Sequence, residues 1–143
     1  MKILILNGPN INFLGIREQS IYGSLTYQEF ENILHNYAKE NDLELIIKQS
    51  NHEGVLIDLL QEAHFDNSLK GVILNGGGYT HTSVALMDAV SSINKPVIEV
   101  HFSDISKRES FRHHSYLSLV CKNTFKGEGI QSYLKAIDYL KSN

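Results

Sequence analysis

Short, nearly continuous apolar runs recur along the chain and predict the strands of a sheet. The runs are rich in Ile, Val and Leu, and they lie at Ile3–Leu6, Leu43–Ile47, Val72–Leu74, Val97–Val100 and Leu117–Cys121. An unbroken apolar run, in contrast to an alternating one, is typical of a strand that is covered on both faces. The five runs therefore predict five strands of a parallel sheet.

Apolar positions with helical spacing fill the stretches between these runs. The four stripes are Phe30, Ile33, Leu34, Tyr37 and Ala38; Val55, Leu56, Leu59, Leu60 and Ala63; Val84, Ala85, Ala89 and Val90; and Ile130, Tyr133, Leu134, Ile137 and Leu140. Thr26 and Glu29 have the spacing of a capping box at the start of the first stripe. The polar stretch Ile105–His114 predicts only a short helix or an ordered loop.

The alternation of strands and helices predicts a single α/β domain over residues 1–143. Right-handed crossovers give a doubly wound sheet, and five parallel strands favour the flavodoxin-like order 2-1-3-4-5. In such a sheet, ligands bind beyond the carboxyl ends of the strands, where the strand order reverses. Polar residues and glycines follow three predicted strands at this edge: Asn7-Gly8-Pro9-Asn10, Asn75-Gly76-Gly77-Gly78 and His101-Phe102-Ser103.

Composition and charge narrow the range of partners. The 143 residues are 42% hydrophobic and carry a net charge of -3, without the concentrated basic face that nucleic acids require. A single cysteine, Cys121, excludes a disulfide framework and a cysteine-based zinc site. No stretch has the pattern of a secretory signal or a membrane span, so we expect a cytoplasmic protein. The one basic cluster suits a small anionic metabolite and comprises Lys107, Arg108, Arg112, His113 and His114.

Two pairs of charged residues have the pattern of an acid–base site. Glu99 and His101 are two apart on a predicted strand, so their side chains share a face, where a carboxylate would fix the imidazole tautomer and raise its basicity. Arg108 and Arg112 are four apart and could grip a hydroxylated or anionic substrate. The structural alternatives are a histidine satisfied by an acid at the sheet edge and a solvated basic face.

Two loops predict ligand binding. Gly8–Ser24 lacks periodicity, and a connection of that length is usually a lid or binding loop; it carries Arg17 and Tyr22. The alternative is a surface loop with an aromatic anchor. The stretch Gly76–Ser83 offers glycines, hydroxyls and the free amides of a helix start, which favour an anion over a plain capped turn.

The sequence lacks the residues that a metal site, a receiver domain or a flavin phosphate loop would need. His113 and His114 are adjacent, and no acid or histidine lies at zinc-like spacing, so we expect no metal. Asn7 and Asn10 stand where a receiver domain needs acids, and Pro9 removes an amide that a flavin phosphate loop would use. These exclusions leave a site without cofactor, built around Tyr22, His101 and Arg17.

Taken together, these segments closely resemble the type II 3-dehydroquinate dehydratases. The resemblance implies the shikimate-pathway step from 3-dehydroquinate to 3-dehydroshikimate, by anti elimination through an enolate, without metal or Schiff base. The matching stretches follow the family order and are Leu6–Asn12 with Leu14-Gly15, Arg17-Glu18, Ile21–Gly23, Gln49–Gly54, Asn75, Tyr79–Ser83, Glu99–His101, Ser103, Arg108-Glu109 and Phe111–Ser115.

By position, the resemblance implies a base with its supporting groups. Tyr22 corresponds to the base that removes the proton next to the ketone. A free phenol ionises near pH 10, so its anion needs nearby cations. Arg17 and Arg108 correspond to those cations, and closure of the lid would bring Arg17 in. Asn10 corresponds to the amide that holds a water against the developing enolate.

The resemblance also implies an acid and a set of substrate contacts. His101, oriented by Glu99, corresponds to the acid that protonates the departing hydroxyl. The substrate contacts fall on Asn75, His81 and Arg112 for the ring hydroxyls, and on the backbone of Phe102 and Ser103 for the carboxylate. Asp88 corresponds to a residue that reaches the site of a neighbouring subunit, which implies trimers that build a dodecamer.

The chain departs from the family pattern at four positions. Gly76 replaces the usual Pro or Ala, Gly78 replaces Ala, Gln19 replaces a Pro of the lid, and Phe102 replaces a smaller aliphatic residue. Gly76 and Gly78 predict a looser loop around the anion, and Gln19 predicts a larger entropic cost of lid closure. None removes a catalytic group, so we expect changed rates and an unchanged reaction. The rival hypotheses are a non-enzymatic flavodoxin-like module that binds a nucleotide or flavin, and a metal-dependent hydrolase.

Overall fold

The computed structural model describes residues 1–143, and its centre is a five-stranded sheet. The strands are β1 (Lys2–Asn7), β2 (Glu44–Gln49), β3 (Leu69–Asn75), β4 (Val97–His101) and β5 (Asn123–Lys126). All neighbouring strands are parallel, and their order is β2-β1-β3-β4-β5. The predicted fold class and strand order are therefore confirmed.

Helices cover both faces of the sheet, because successive side chains of a buried strand point to opposite sides. The helices are α1 (Gln19–Tyr22), α2 (Tyr27–Glu40), α3 (Glu53–Phe65), α4 (Val84–Ser92) and α5 (Ile130–Ser142). Ile3 and Ile5 of β1 pack under α2 and α5, whereas Leu4 and Leu6 pack under α3 and α4. None of the helices is long and apolar enough to cross a membrane.

The predicted start of α2 is confirmed in detail. The Thr26 hydroxyl accepts the backbone N–H of Glu29 at 3.1 Å, and the Glu29 carboxylate accepts the backbone N–H of Thr26 at 3.4 Å. This reciprocal pair satisfies two donors that a helix otherwise leaves open. The capping box therefore sets the point at which the chain leaves the predicted lid, Gly8–Ser24, and enters the core as α2.

The predicted fifth strand is wrong. Leu117–Leu119 forms a 3-10 turn, and the strand lies beyond it at Asn123–Lys126. Leu117 is fully buried under α4, but Leu119 is 69% exposed, so this apolar run is not covered on two faces. The true β5 pairs with β4 alone, and an edge strand need not be an apolar run.

The predicted stripe of α4 is partly wrong. Ala89 and Val90 are buried as expected, and Leu86 completes the buried face. Val84 and Ala85 point outward, and Val84 is 47% exposed. Ser83 caps this helix by accepting the Leu86 backbone N–H at 2.8 Å.

The lid segment is more ordered than its sequence indicates. Ile11–Phe13 forms a 3-10 turn, and α1 forms the single turn that carries Tyr22. Glu18 starts this turn with a φ of 40°, and the Gln19 side-chain amide donates to the carbonyl of Gly15 at 2.7 Å. The Gln19 side chain thus connects α1 to Gly15 by a hydrogen bond, at the position where the family pattern has a proline.

Short 3-10 turns also form the other two loops that reach the sheet edge. They comprise Gly77–His81 after β3, and Ile105–Lys107 and Ser110–Arg112 after β4. The stretch Ile105–His114 is therefore an ordered loop, one of the two forms predicted for it.

The two unusual glycines of the β3 loop differ in the space around them, which leads to a stability prediction. We expect Gly78→Ala to raise the free energy of unfolding by about 0.5 kcal/mol, because its Cβ would meet nothing within 4 Å and its φ is not positive. Gly76→Ala should lower it by about 1–3 kcal/mol, since its Cβ would lie 2.6 Å from the hydroxyl of Thr80 and 2.8 Å from Leu117. Urea unfolding of both variants measures the difference, and equal effects of the two substitutions would contradict this account.

Candidate active site

The carboxyl ends of β1, β3 and β4 open into one cleft. Pro9, Ile11, Gly77, Gly78 and Ile105 form part of its wall. Nine of the twelve predicted site residues form the rest, namely Arg17, Tyr22, Asn75, His81, His101, Phe102, Ser103, Arg108 and Arg112. Their convergence agrees with the rule that ligands bind where the strand order reverses.

A larger cavity lies at the opposite end of β4. Its lining includes Ile93, Pro96, Val120 and two lysines, but no acid and no histidine. Volume alone would favour this cavity as the active site, whereas the chemistry of the lining residues favours the cleft at the carboxyl edge of the sheet. We take the cleft as the candidate active site because acid–base groups converge only there.

Tyr22 lies in the cleft with its phenol held by Arg108. Arg108 Nη1 donates to Tyr22 Oη at 2.9 Å and lies 3.3 Å from Ser103 Oγ. The side chain of Arg108 is only 10% exposed, and its Nη2 makes no hydrogen bond. A buried guanidinium is thus fixed against the oxygen that would carry a phenolate charge.

Arg17 approaches the same phenol from its face. Its guanidinium carbon lies 5.2 Å from the centre of the Tyr22 ring, and its Nη2 donates to the Glu18 carboxylate at 2.6 Å. Glu18 also lies 3.8 Å from Arg108 Nη2. This carboxylate therefore joins both arginines over the tyrosine, a contact that sequence reasoning missed although Arg17-Glu18 stood among the matching stretches.

Glu99 is a fully buried carboxylate with four hydrogen-bond donors. Oε2 accepts from His101 and Ser115 at 2.6 Å each, and Oε1 accepts from Ser118 at 2.5 Å and Thr124 at 2.9 Å. Burial favours the neutral acid, but the histidine and serine hydrogen bonds favour the anion more and lower the pKa of Glu99 to about 2. The pair predicted from its two-residue spacing is thus a real contact, and Glu99 is ionised within it.

The ionised Glu99 fixes the tautomer of His101. A carboxylate can only accept hydrogen bonds, so the imidazole Nε2 that lies 2.6 Å from it must carry a proton. The other ring nitrogen, Nδ1, is the one left to exchange a proton with a ligand in the cleft.

His81 is fixed in a different way. Its Nδ1 lies 2.8 Å from the carbonyl oxygen of His114, which can only accept, so Nδ1 carries the proton and Nε2 is an acceptor. Burial lowers the pKa of His81, and the charges of His101 and Arg112 lower it further. His81 is therefore suited to accept a hydrogen bond from a substrate hydroxyl.

The remaining cleft residues offer donors of two kinds and one packing contact. Arg112 keeps its guanidinium at the wall through a 2.8 Å ion pair with Glu109. The backbone N–H groups of Phe102 and Ser103 donate to no acceptor within the chain, as the predicted carboxylate contact requires. The Phe102 side chain packs edge-on to Tyr22, with ring centres 6.4 Å apart.

Three predicted residues do not line the cleft. Glu99 is buried behind His101, as a supporting residue must be. Asn10 is exposed with a φ of 69°, and its backbone N–H donates to the Asn51 side chain at 3.1 Å. Asp88 is exposed on α4. The roles predicted for Asn10 and Asp88 stay predictions.

Sequence reasoning passed over several side chains that support the site. Thr124 lies on β5, which was predicted at the wrong position, so its contact with Glu99 was not predicted from the sequence. Tyr133 was taken only as a core residue of α5, yet its hydroxyl bonds to Asn75. No group of three or more His, Cys, Asp and Glu side chains is arranged to hold a metal ion.

The whole chain is similar to known proteins of one kind. The family model described as Dehydroquinase class II matches residues 1–141. A 3-dehydroquinate dehydratase of Lachnoclostridium phytofermentans is 50% identical over 142 residues, which cover 99% of this chain and 97% of that protein. The 3-dehydroquinate dehydratase of Trichodesmium erythraeum is 49% identical over 145 residues, covering 99% and 95%.

Solved structures agree with these sequence matches. The crystal structure of the type II dehydroquinase from Butyrivibrio crossotus superposes with a TM-score of 0.96 at 47% identity, over 99% of this chain and 97% of that one. The type II dehydroquinase from Propionibacterium acnes gives a TM-score of 0.94 at 35% identity over the same shares. The sequence, the fold and the cleft therefore lead to one conclusion: the chain belongs to the class II dehydroquinases, a family of hydro-lyases.

Proposed function

We propose that this hydro-lyase dehydrates 3-dehydroquinate to 3-dehydroshikimate by anti elimination through an enolate, with Tyr22 as base and His101 as acid. One observation carries the proposal. A phenol held by a buried guanidinium and an imidazole backed by an ionised carboxylate line the same cleft. The substrate is inferred from the names of two relatives of about 50% identity, both of which are 3-dehydroquinate dehydratases.

In the first step, Tyr22 Oη takes the proton from the carbon next to the ketone, and the electron pair moves onto the ketone oxygen. A base of this kind needs cations close to its oxygen, because an opposite charge favours the anion. Arg108 occupies such a position at Tyr22 Oη, and Arg17 lies over the ring.

In the second step, the enolate re-forms the ketone and expels the hydroxyl, which takes a proton from His101 Nδ1. The Glu99 carboxylate keeps Nε2 protonated before and after this transfer. One proton is removed and one is delivered, so the net loss is water. The amide of Asn10, on the loop after β1, would hold a water against the enolate oxygen once the substrate is bound.

The substrate would be held by donors and acceptors of the expected kinds. Asn75, His81 and Arg112 would bind its ring hydroxyls. Its carboxylate would accept the free backbone N–H groups of Phe102 and Ser103. These contacts need no metal or other cofactor.

The proposal includes self-association into trimers that build a dodecamer. Asp88 is exposed on α4, and the outward-facing Val84 lies one turn before it on the same helix. The Asp88 carboxylate makes no ion pair within the chain. Asp88 of one subunit would thus be free to reach the cleft of the next.

Ultraviolet absorbance tests the reaction. The purified protein should convert 3-dehydroquinate into a product with the absorbance band of a conjugated enone. Treatment with borohydride in the presence of substrate, followed by removal of both, should leave the rate unchanged, because no lysine forms an imine. A rate lost to borohydride would overturn the enolate mechanism, and absence of the band would overturn the dehydratase and favour the binding module.

A further inference from the structure

Tyr133 joins the ends of two strands beneath the cleft. It belongs to α5, its side chain is fully buried, and its hydroxyl lies between Asn7 at the end of β1 and Asn75 at the end of β3. Tyr133 Oη lies 2.9 Å from Asn75 Nδ2 and 2.7 Å from Asn7 Oδ1. Burial raises the pKa of Tyr133, so the hydroxyl keeps its proton and acts as one donor and one acceptor.

The direction of each hydrogen bond around Tyr133 follows from one group that can only donate. The backbone N–H of Gly77 lies 3.1 Å from the Asn75 side chain, so the amide atom that faces it must be Oδ1. The amide nitrogen of Asn75 then faces Tyr133 and donates to it. The Tyr133 proton is left for Asn7 Oδ1, and the Asn7 nitrogen donates to Tyr27 Oη at 3.2 Å.

This chain of hydrogen bonds leaves Asn75 with one free donor. An amide nitrogen has two protons, and Tyr133 accepts one of them. Asn75 is 3% exposed and lines the cleft, so its second N–H is the group it can offer to a ligand. Rotating the amide by half a turn would set its nitrogen against the Gly77 N–H and leave buried polar groups unpaired.

We propose that Tyr133 is a positioning residue, which together with the Gly77 N–H holds the Asn75 amide so that an N–H points into the cleft and selects a substrate oxygen that accepts a hydrogen bond. The inference rests on the proposed function, in which Asn75 binds a ring hydroxyl. Tyr133 does not itself reach the cleft. Its effect is on how well substrate is held, and not on proton transfer at Tyr22 or His101.

The substitution Tyr133→Phe tests the proposal because it deletes only the hydroxyl. We expect KM for 3-dehydroquinate to rise about tenfold, which corresponds to about 1.4 kcal/mol. The kcat should stay within about twofold and the pH profile of kcat unchanged, since no group that exchanges protons with substrate is altered. The double variant Tyr133→Phe, Asn75→Ala should have the KM of Asn75→Ala alone, because residues that act through one another are not additive.

Tyr27→Phe is the matched control. It deletes a hydroxyl from the same chain of hydrogen bonds, but Tyr27 contacts Asn7 and not Asn75. Its KM should stay within about twofold of wild type, although it also loses a partly buried hydrogen bond. An equal rise of KM in Tyr27→Phe would mean that general loosening, and not the direction of Asn75, sets KM.

The outcomes separate this inference from the proposed function. A wild-type chain that does not turn over 3-dehydroquinate would overturn the proposed function and the inference with it. An active wild type with an unchanged KM in Tyr133→Phe, or with additive effects in the double variant, would overturn the inference alone. If Tyr133→Phe does not fold, Asn7→Ala replaces it: without its acceptor the Tyr133 hydroxyl is free to turn its proton towards Asn75 and compete with the N–H that Asn75 donates, so KM should rise. An unchanged KM in that variant would overturn the inference.

Discussion

Replacing Tyr22 by phenylalanine should lower kcat by about 10³-fold, the middle of the range for loss of a general base. The change removes a single oxygen, which is the atom that Arg108 holds at 2.9 Å. The ring should stay in place, since Arg17 lies over it and Phe102 packs against its edge. Turnover is measured by the enone absorbance, and binding by calorimetric titration with 3-dehydroquinate, which should change by less than about tenfold.

Tyr37→Phe provides the control for the loss of a phenol. The Tyr37 hydroxyl donates to Asp138 at 2.5 Å between α2 and α5, and neither residue lines the cleft. This variant should lose a hydrogen bond and keep its turnover. Turnover in Tyr22→Phe within tenfold of wild type would assign the base to another group, and a parallel loss of substrate binding would make Tyr22 a binding residue.

The central strands and their order were predictable from the sequence because they obey a simple physical rule. A strand covered by helices on both sides must be apolar throughout, and Ile3–Leu6 and Val72–Leu74 satisfy this within the observed β1 and β3. At the edge of the sheet the rule fails. β5 contains Asn123 and Lys126 because only one of its sides pairs with another strand.

The positions of the site residues were predictable for a related reason. Polar residues that follow apolar strands must meet at one edge of a parallel sheet, so Asn75 and His101 came together as expected. The arrangement of the lid was not predictable in this way. Its single helical turn depends on contacts such as Glu18 with Arg108, which are far apart in sequence and leave no periodic pattern.

The support of Glu99 illustrates what a linear pattern cannot express. The two-residue spacing to His101 is visible in the sequence, but the donors on the other side of the carboxylate come from Ser115, Ser118 and Thr124. Hydroxyl residues are common, and nothing in their spacing relates them to an acid on another strand. Only the three-dimensional structure shows that they make Glu99 an anion.

Glu99→Gln should lower kcat by about 10²-fold, at the lower end of the range for acid–base groups, because His101 remains but loses its counter-charge. The neutral amide can still accept from the imidazole, so the tautomer is retained and the fold should persist. What is lost is the negative charge that lies 2.6 Å from the imidazole. The measurement is kcat against pH for wild type and variant, with Ser118→Ala as a control that removes one hydrogen bond to Glu99 and no charge.

The same variant should show a stability difference that depends on pH. The pKa of Glu99 is lowered to about 2 in the folded chain, and an unfolded glutamate ionises near pH 4.3. Between these values the unfolded state binds more protons, so the advantage of wild type over Glu99→Gln should grow as the pH rises from about 2 to about 4.5 and then stay constant. At that plateau the linked contribution is about 3 kcal/mol. Acid unfolding of both proteins measures the difference directly, because all their other carboxylates are shared. A constant difference across this range would mean that Glu99 is not ionised in the folded chain, and His101 would then lack the charge on which its role as acid depends.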